Sequence, residues 1–190
     1  MTTIETPIKC YFCNQNHVCR DCPKESVISS LLKKKVGNTM EYWFANNFNC
    51  LECNSDSLIV MGNHTPSLDI ICKTCYNKFE IKSKCLSINE LPKDIQLNHG
   101  SYIDYCNKLK KGLNLVVIIY GVNRINKEII IREVLYANNI VLKNQQIINV
   151  FKKKTSQLST IFIKDRNKLQ KYIIKKNNIL SFKEDCMIDV

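Results

Sequence analysis

No stretch of this 190-residue chain approaches the roughly eighteen consecutive apolar residues of a membrane span. The opening segment, MTTIETPIKC, also lacks the apolar core of a secretory signal. A soluble, intracellular protein is therefore expected. Negative charge is scarce: 17 Asp and Glu stand against 28 Lys and Arg, for a formal net charge of +11 and a pI of about 9.1. That balance favours a polyanionic partner, and nucleic acid over a membrane surface, because no basic amphipathic anchor is evident. A solvated lysine-rich surface would carry the same charge, so charge alone does not choose. The apolar fraction of 45% suffices for a core, and the length suits one ordinary domain with a small appendage.

Cysteine is what the chain has in excess. Eight of its eleven cysteines fall into four C-x2-C pairs, a spacing that suits metal sites in a reducing compartment better than a secreted disulfide framework. The first cluster, CYFCNQNHVCRDC, offers Cys10, Cys13, His17, Cys19 and Cys22. Four soft ligands hold one tetrahedral zinc. The set Cys10, Cys13, His17 and Cys22 makes a compact knuckle resembling the CCHC type, one residue short between Cys13 and His17. It is preferred because C-P closes many such knuckles; Cys19 in place of His17 is the rival set. Tyr11 and Phe12 can stack on unpaired bases or simply cover the metal loop.

The second cluster pairs Cys50 and Cys53 with Cys72 and Cys75, eighteen residues further on. Two such pairs at that separation predict a four-cysteine zinc ribbon spanning 50–75. With four thiolates saturating the ion, His64 between them reads as a loop residue. Cys85, Cys106 and Cys186 have no partner spacing and read as buried or incidental thiols.

Interleaved with this ribbon is a different chemistry. Asp69 lies three residues before Cys72, and FEIKSK follows Cys75, alternating apolar and polar residues as a half-buried strand does. Glu80 and Lys82 then share one face and Ile81 takes the other. Two carboxylates and an ammonium can hold a hard divalent ion and orient a nucleophilic water. An ordinary surface hairpin with an ion pair would show the same three residues, so the surroundings have to decide.

Around this centre the pattern predicts a mixed α/β sheet flanked by helices. Ser26 to about Asn47 reads as a helix with a weak point at Gly37, a stripe of Val27, Ile28, Leu31 and Leu32, and a second stripe of Met40, Trp43 and Phe44 with Glu41 beside it. The run from Cys85 to Gly100 reads as a loop reaching toward the site. Tyr102–Lys111 follows as a short helix, then Leu113–Val122 as a strand buried on both faces. EIIIREVLYA and STIFIKD continue the strand signal. KLQKYIIKKNNIL reads as a closing basic amphipathic helix.

The block E-Y-W-F, C-L-E-C, S-L-D-I-I-C-K-T-C-Y-N-K-F-E-I-K-S-K, N-H-G-S-Y and LVVIIY resembles the catalytic domain of the DpnI-like branch of the PD-(D/E)xK restriction endonucleases. The resemblance runs closely over Glu41–Tyr120 and loosely over Gly121–Asp165. It implies a restriction-endonuclease-like fold in residues 26–190, a zinc knuckle in 1–25, and hydrolysis of DNA phosphodiesters. By position, Asp69, Glu80 and Lys82 match the nuclease motif, Cys50, Cys53, Cys72 and Cys75 match its zinc ligands, and Glu41 matches a glutamate in the preceding helix. The implied cofactors are Mg2+ or Mn2+, held by Asp69, Glu80 and the Ile81 carbonyl, and two structural Zn2+. Leu68 stands in place of the loosely kept proline. Nothing after Asp165 is long enough for the C-terminal winged helix of such enzymes, so recognition of methylated GATC is not implied. The N-terminal knuckle is an arrangement similar to that of proteins from large DNA viruses. A non-catalytic zinc module that binds nucleic acid is the competing class.

Overall fold

The computed structural model describes residues 23–61, 68–86, 91–123, 126–152, 158–174 and 178–182. The N-terminal cysteine cluster, His64 and Cys186 lie outside them, as do the side chains of Val27, Ile28, Leu31 and Leu32. In chain order the elements are α1 (Pro23–Asn47), β1 (Leu58–Val60), β2 (Ile70–Cys72), β3 (Lys78–Cys85), β4 (Ile95–Ser101) and α2 (Tyr102–Lys110). There follow β5 (Leu113–Asn123), β6 (Glu128–Ala137), α3 (Asn139–Lys143), β7 (Ile148–Lys152), β8 (Leu158–Ile163), a 3-10 turn (Arg166–Lys168), β9 (Gln170–Tyr172) and β10 (Ile179–Ser181). This is a mixed α/β fold.

The larger sheet runs β1-β2-β3-β5-β6-β10, with β9 also paired to β6; the smaller runs β4-β8-β7. Within the larger sheet β3 and β5 are parallel, and every other pairing is antiparallel. A parallel pair needs a crossover, and β4 with α2 supplies it. That connection carries the second sheet's edge strand and a helix onto one face of the first.

β5 shows why its apolar run is continuous. Val116, Ile118 and Tyr120 pack into one core with Val36, Met40, Trp43 and Phe44 of α1. Leu115, Val117 and Ile119 pack into the other core, with Ile95 and Leu97 of β4 and Tyr105 of α2. A strand covered on both faces reads as a nearly continuous apolar run. On β6 a register shift opposite Ile119 and Tyr120 changes the parity, so Ile129 and Ile131 share a face with Val134 and Tyr136.

The expected helix is present: α1 runs through Gly37, where one glycine costs a helix only about 1 kcal/mol, which the buried stripe of Met40, Trp43 and Phe44 offsets. Two other expectations need correction. Part of the expected loop between Cys85 and Gly100 is strand β4, in which Ile95, Leu97 and His99 are buried while Gln96, Asn98 and Gly100 are exposed. Gly100 marks a register shift against β8 rather than a loop. The closing helix is absent among the described residues: the segment forms a 3-10 turn and β9, followed by β10. The outer edge of β6 takes up both strands, burying Leu180. Ladder bonds to an open edge outweigh a helical period in residues this rich in isoleucine.

Candidate metal and nuclease site

The two C-x2-C turns are near copies of each other. Asn54 N donates to Cys50 O at 2.8 Å, and Tyr76 N donates to Cys72 O at 2.9 Å. Cys50 N donates to Ser55 O at 2.7 Å, and Cys72 N donates to Asn77 O at 3.0 Å. Asn54 and Tyr76, each just after the second cysteine, are left-handed, with φ of 59° and 60°. Asparagine tolerates that region because its short polar side chain can bond locally; a tyrosine side chain cannot, and the conformation costs about 1–2 kcal/mol.

Both turns deliver their sulfurs to one point. The four Sγ atoms lie within 4.8 Å of one another, with Cys50 to Cys75 at 3.5 Å and Cys53 to Cys72 at 3.6 Å. A disulfide would need about 2.05 Å. Tetrahedral thiolates at the usual Zn–S length stand about 3.8 Å apart, so this donor set fits zinc and could hold it. Ser57 Oγ at 3.3 Å and Ser55 Oγ at 3.4 Å lie against Cys72 Sγ, and Asn77 Nδ2 donates to Cys75 Sγ at 3.3 Å. Such neighbours orient thiolates and spread their charge. Glu52, inside the first turn, accepts a hydrogen bond from Tyr136 of β6, which ties the cluster to the sheet.

The second cysteine turn joins the end of β2 to β3, and Asp69 immediately precedes β2. The β2–β3 ladder ends at the pair Ile70 and Phe79, so Ile81 N–H has no strand partner on that side. Asp69 Oδ2 accepts it instead, at 2.7 Å. Alternation along β3 turns Phe79 and Ile81 into the α1 core and Glu80 and Lys82 to the opposite face. There Glu80 is 3% exposed, with Lys82 Nζ at 2.5 Å from Oε1.

Two further groups reach Glu80, and reasoning from sequence gave neither a role. Lys108 Nζ, from α2, lies 2.7 Å from Oε2 and 3.1 Å from Asp104 Oδ2. His99 Nε2, from β4, lies 3.5 Å from Oε1, near enough for attraction and too far for a hydrogen bond. Neither His99 Nε2 nor Tyr105 OH, both buried, has a hydrogen-bond partner among the described residues. His99 was findable, since IQLNHGS alternates as a strand and puts it on the buried face. Lys108 shares a helical face with Asp104 at i, i+4, but nothing in the pattern marks that face as turned toward Glu80.

The electrostatics are divided. Burial alone would push the Glu80 carboxyl up; His99, Lys82 and Lys108 outweigh it and hold it well below the usual carboxylate range. Asp69 moves the other way, raised by burial and then by the charge of Glu80, against the pull of Lys82. Glu41, on α1, is pushed up to about 7, first by burial and next by Asp69, with Lys82 opposing and Glu80 adding to the rise. The structure thus brings Glu41, Asp69, Glu80 and Lys82 into one electrostatic neighbourhood. Asp69 and Glu41 are each raised in part by a neighbouring carboxylate, a repulsion that a hard divalent cation relieves, and the oxygen donors suit Mg2+ or Mn2+.

Fold and site together define a mixed α/β domain with a four-cysteine cluster stapled beside a carboxylate–lysine centre. The model of the DpnI (Dam-replacing) family matches residues 24–187, and the chain belongs to that family. Comparison with curated proteins gives no match.

Proposed function

We propose that the protein is a divalent-metal-dependent DNA endonuclease of restriction-endonuclease-like fold. The observation that supports this best is the convergence of Asp69, Glu80 and Lys82 at the place where the β2–β3 ladder stops, in a chain of the DpnI family. Asp69 and Glu80 would hold Mg2+ or Mn2+ together with the Ile81 carbonyl, which the strand geometry sends to the same edge as the N–H that Asp69 accepts. When bound, the ion would supply Lewis acidity at the phosphate and make the attacking water easier to deprotonate. Lys82 orients that water and stabilises charge developing on the phosphate. Glu41 is a further carboxylate of the centre. Zn2+ held by Cys50, Cys53, Cys72 and Cys75 would be structural and would fix the β2–β3 hairpin, whose first strand follows Asp69.

Target selection is assigned to the N-terminal knuckle, to the segment from Cys85 to Gly100, or to partners. The segment before α1 is assigned the zinc knuckle expected from its sequence, with Cys10, Cys13 and Cys22 and either His17 or Cys19 as ligands, and a contribution to affinity for unpaired bases. The lysine-rich surface adds phosphate contacts that carry no sequence information and weaken with salt. The test is to incubate the purified full chain with supercoiled plasmid, methylated and unmethylated duplexes, single-stranded DNA and RNA, with and without Mg2+ or Mn2+. Nicked or linear DNA only with the ion is expected. Binding without cleavage under every condition would instead make the protein a non-catalytic zinc module.

A further inference from the structure

The two cysteine turns differ at the left-handed position that follows the second cysteine. One turn has Asn54 there, which suits the conformation, and the other has Tyr76. A bulky side chain at positive φ is an outlier, and it persists only where its surroundings fix the backbone. Here Tyr76 N donates to Cys72 O at 2.9 Å, and Cys75, the preceding residue, belongs to the four-sulfur cluster. Packing does not offset the strain. Tyr76 is 73% exposed, the most exposed aromatic side chain among the described residues. Its hydroxyl makes no hydrogen bond and its ring meets no other ring among them. The surroundings are basic: Lys73 and Thr74 are exposed, Lys78 is half-buried, and no Asp or Glu stands between Ile70 and Phe79. Neither lysine pairs with an acid among the described residues.

We infer that Tyr76 is a stacking platform for an unpaired nucleobase, with Lys73 and Lys78 holding the phosphates beside it. The inference rests on the part of the nuclease reading that makes DNA the partner, and not on cleavage. Every base has a π-face, so an aromatic ring on a basic surface binds it without regard to sequence. Inside a duplex those faces are covered by stacked neighbours, so the base that reaches Tyr76 is an unpaired one. A tyrosine has only two side-chain torsions to fix, and on a turn held by the cluster it loses little freedom on binding. Strain at an exposed position thus has a use in recognition that it lacks in the fold. The hairpin that presents the ring carries Glu80 in its second strand, and Asp69 immediately precedes its first. A base stacked on Tyr76 therefore tethers the nucleic acid to the element that bears the carboxylate centre.

Stability and binding should move in opposite directions when the ring is removed from the full chain. Tyr76→Asn should raise the melting temperature by about 2–8 °C by relieving the left-handed strain. It should also weaken oligo(dT) binding about tenfold, measured by anisotropy without divalent ion. The salt slope should not change, because no charge is lost, whereas Lys73→Ala and Lys78→Ala should each reduce it by about 0.7. Tyr76→Phe should bind as wild type does. The chain's one tryptophan, Trp43, is 1% exposed, so Tyr76→Trp adds a solvent-facing reporter whose emission oligo(dT) should quench far more than a blunt duplex does. Zinc content checks that each variant keeps the cluster. No quenching of the added emission, unchanged oligo(dT) affinity in folded Tyr76→Asn, or a wild type that does not bind oligo(dT) would overturn the platform. A lower melting temperature for Tyr76→Asn would make the ring a part of the fold and overturn it as well, and equal quenching by the duplex would overturn the assignment to an unpaired base. Plasmid cutting by wild type with Mg2+ is read separately: cutting without quenching leaves the nuclease and removes the platform, and quenching without cutting leaves the platform and removes the nuclease.

Discussion

Replacing Lys108 by methionine removes one of two ammonium groups from a nearly inaccessible carboxylate and leaves the length of the side chain. Lys108 and Glu80 expose only 11% and 3% of their side chains, at 2.7 Å, so solvent screens the pair weakly. Breaking a buried pair by deleting one partner costs about 3–5 kcal/mol when the other charge is left alone. Glu80 is not left alone, since Lys82 lies at 2.5 Å and His99 at 3.5 Å. The expected cost is therefore smaller, about 1–3 kcal/mol, the penalty for a buried group that loses one of several partners. For a chain of this size that is a fall in melting temperature of about 2–12 °C without divalent ion. If Glu80 is a ligand, Mg2+ or Mn2+ replaces the lost positive charge, so the deficit should shrink in its presence. Thermal denaturation of Lys108→Met and wild type, with zinc intact and with or without the ion, reads both quantities. A deficit that is the same with and without the ion would refute the placement of the ion at Glu80, and no deficit would refute the pairing itself.

Other perturbations have expected outcomes. Cys72→Ser should lower the zinc content by one ion per chain and unfold the β1–β3 hairpin, because structural zinc contributes about 10–16 kcal/mol of apparent binding energy in finger peptides; unchanged zinc by elemental analysis would contradict the four-thiolate site. Glu41→Gln should stabilise the divalent-free protein in a pH-dependent way. A carboxyl raised to about 7 when folded contributes fully below its ordinary value of 4.5 and loses that contribution as pH rises through 7. The advantage of the amide should grow from about pH 4.5 to 7 and then level off. After discounting for the solvent screening of a half-exposed group it should reach about 1–2 kcal/mol, and denaturant melts across that range would show its absence. Glu80 carries the opposite sign, since its depressed carboxyl contributes above 4.5 and loses that contribution on further acidification. Glu80→Gln should therefore flatten the acid limb of the same melts, and an unchanged limb would contradict the depression.

What was legible in the sequence followed from local constraints. The period of FEIKSK put Glu80 and Lys82 on one face, the apolar run of β5 marked a strand between two cores, and two C-x2-C turns marked one four-sulfur cluster. What was missed depends on distant partners. β4 looked like a loop because Pro92 and Gly100 are turn signals, yet the edge of β8 was free to pair with it. The last segment has a helical stripe, but β6 had an unpaired edge, and joining it buried Leu180 and half-buried Tyr172. Lys108 is one of 28 Lys and Arg in the sequence, and only the β3–β5 crossover turns it toward Glu80.

The central claim is that Asp69 and Lys82 carry chemistry rather than structure. It is tested most directly by single-turnover cleavage of supercoiled plasmid at saturating protein and Mg2+ or Mn2+, comparing wild type with Asp69→Ala and Lys82→Ala variants shown by circular dichroism and zinc content to be folded. The account predicts that the wild type nicks or linearises the plasmid and that both variants bind it but cut at least a hundredfold more slowly, the order expected for loss of a metal ligand or a water-orienting group. Equal cutting rates in the folded variants would contradict it.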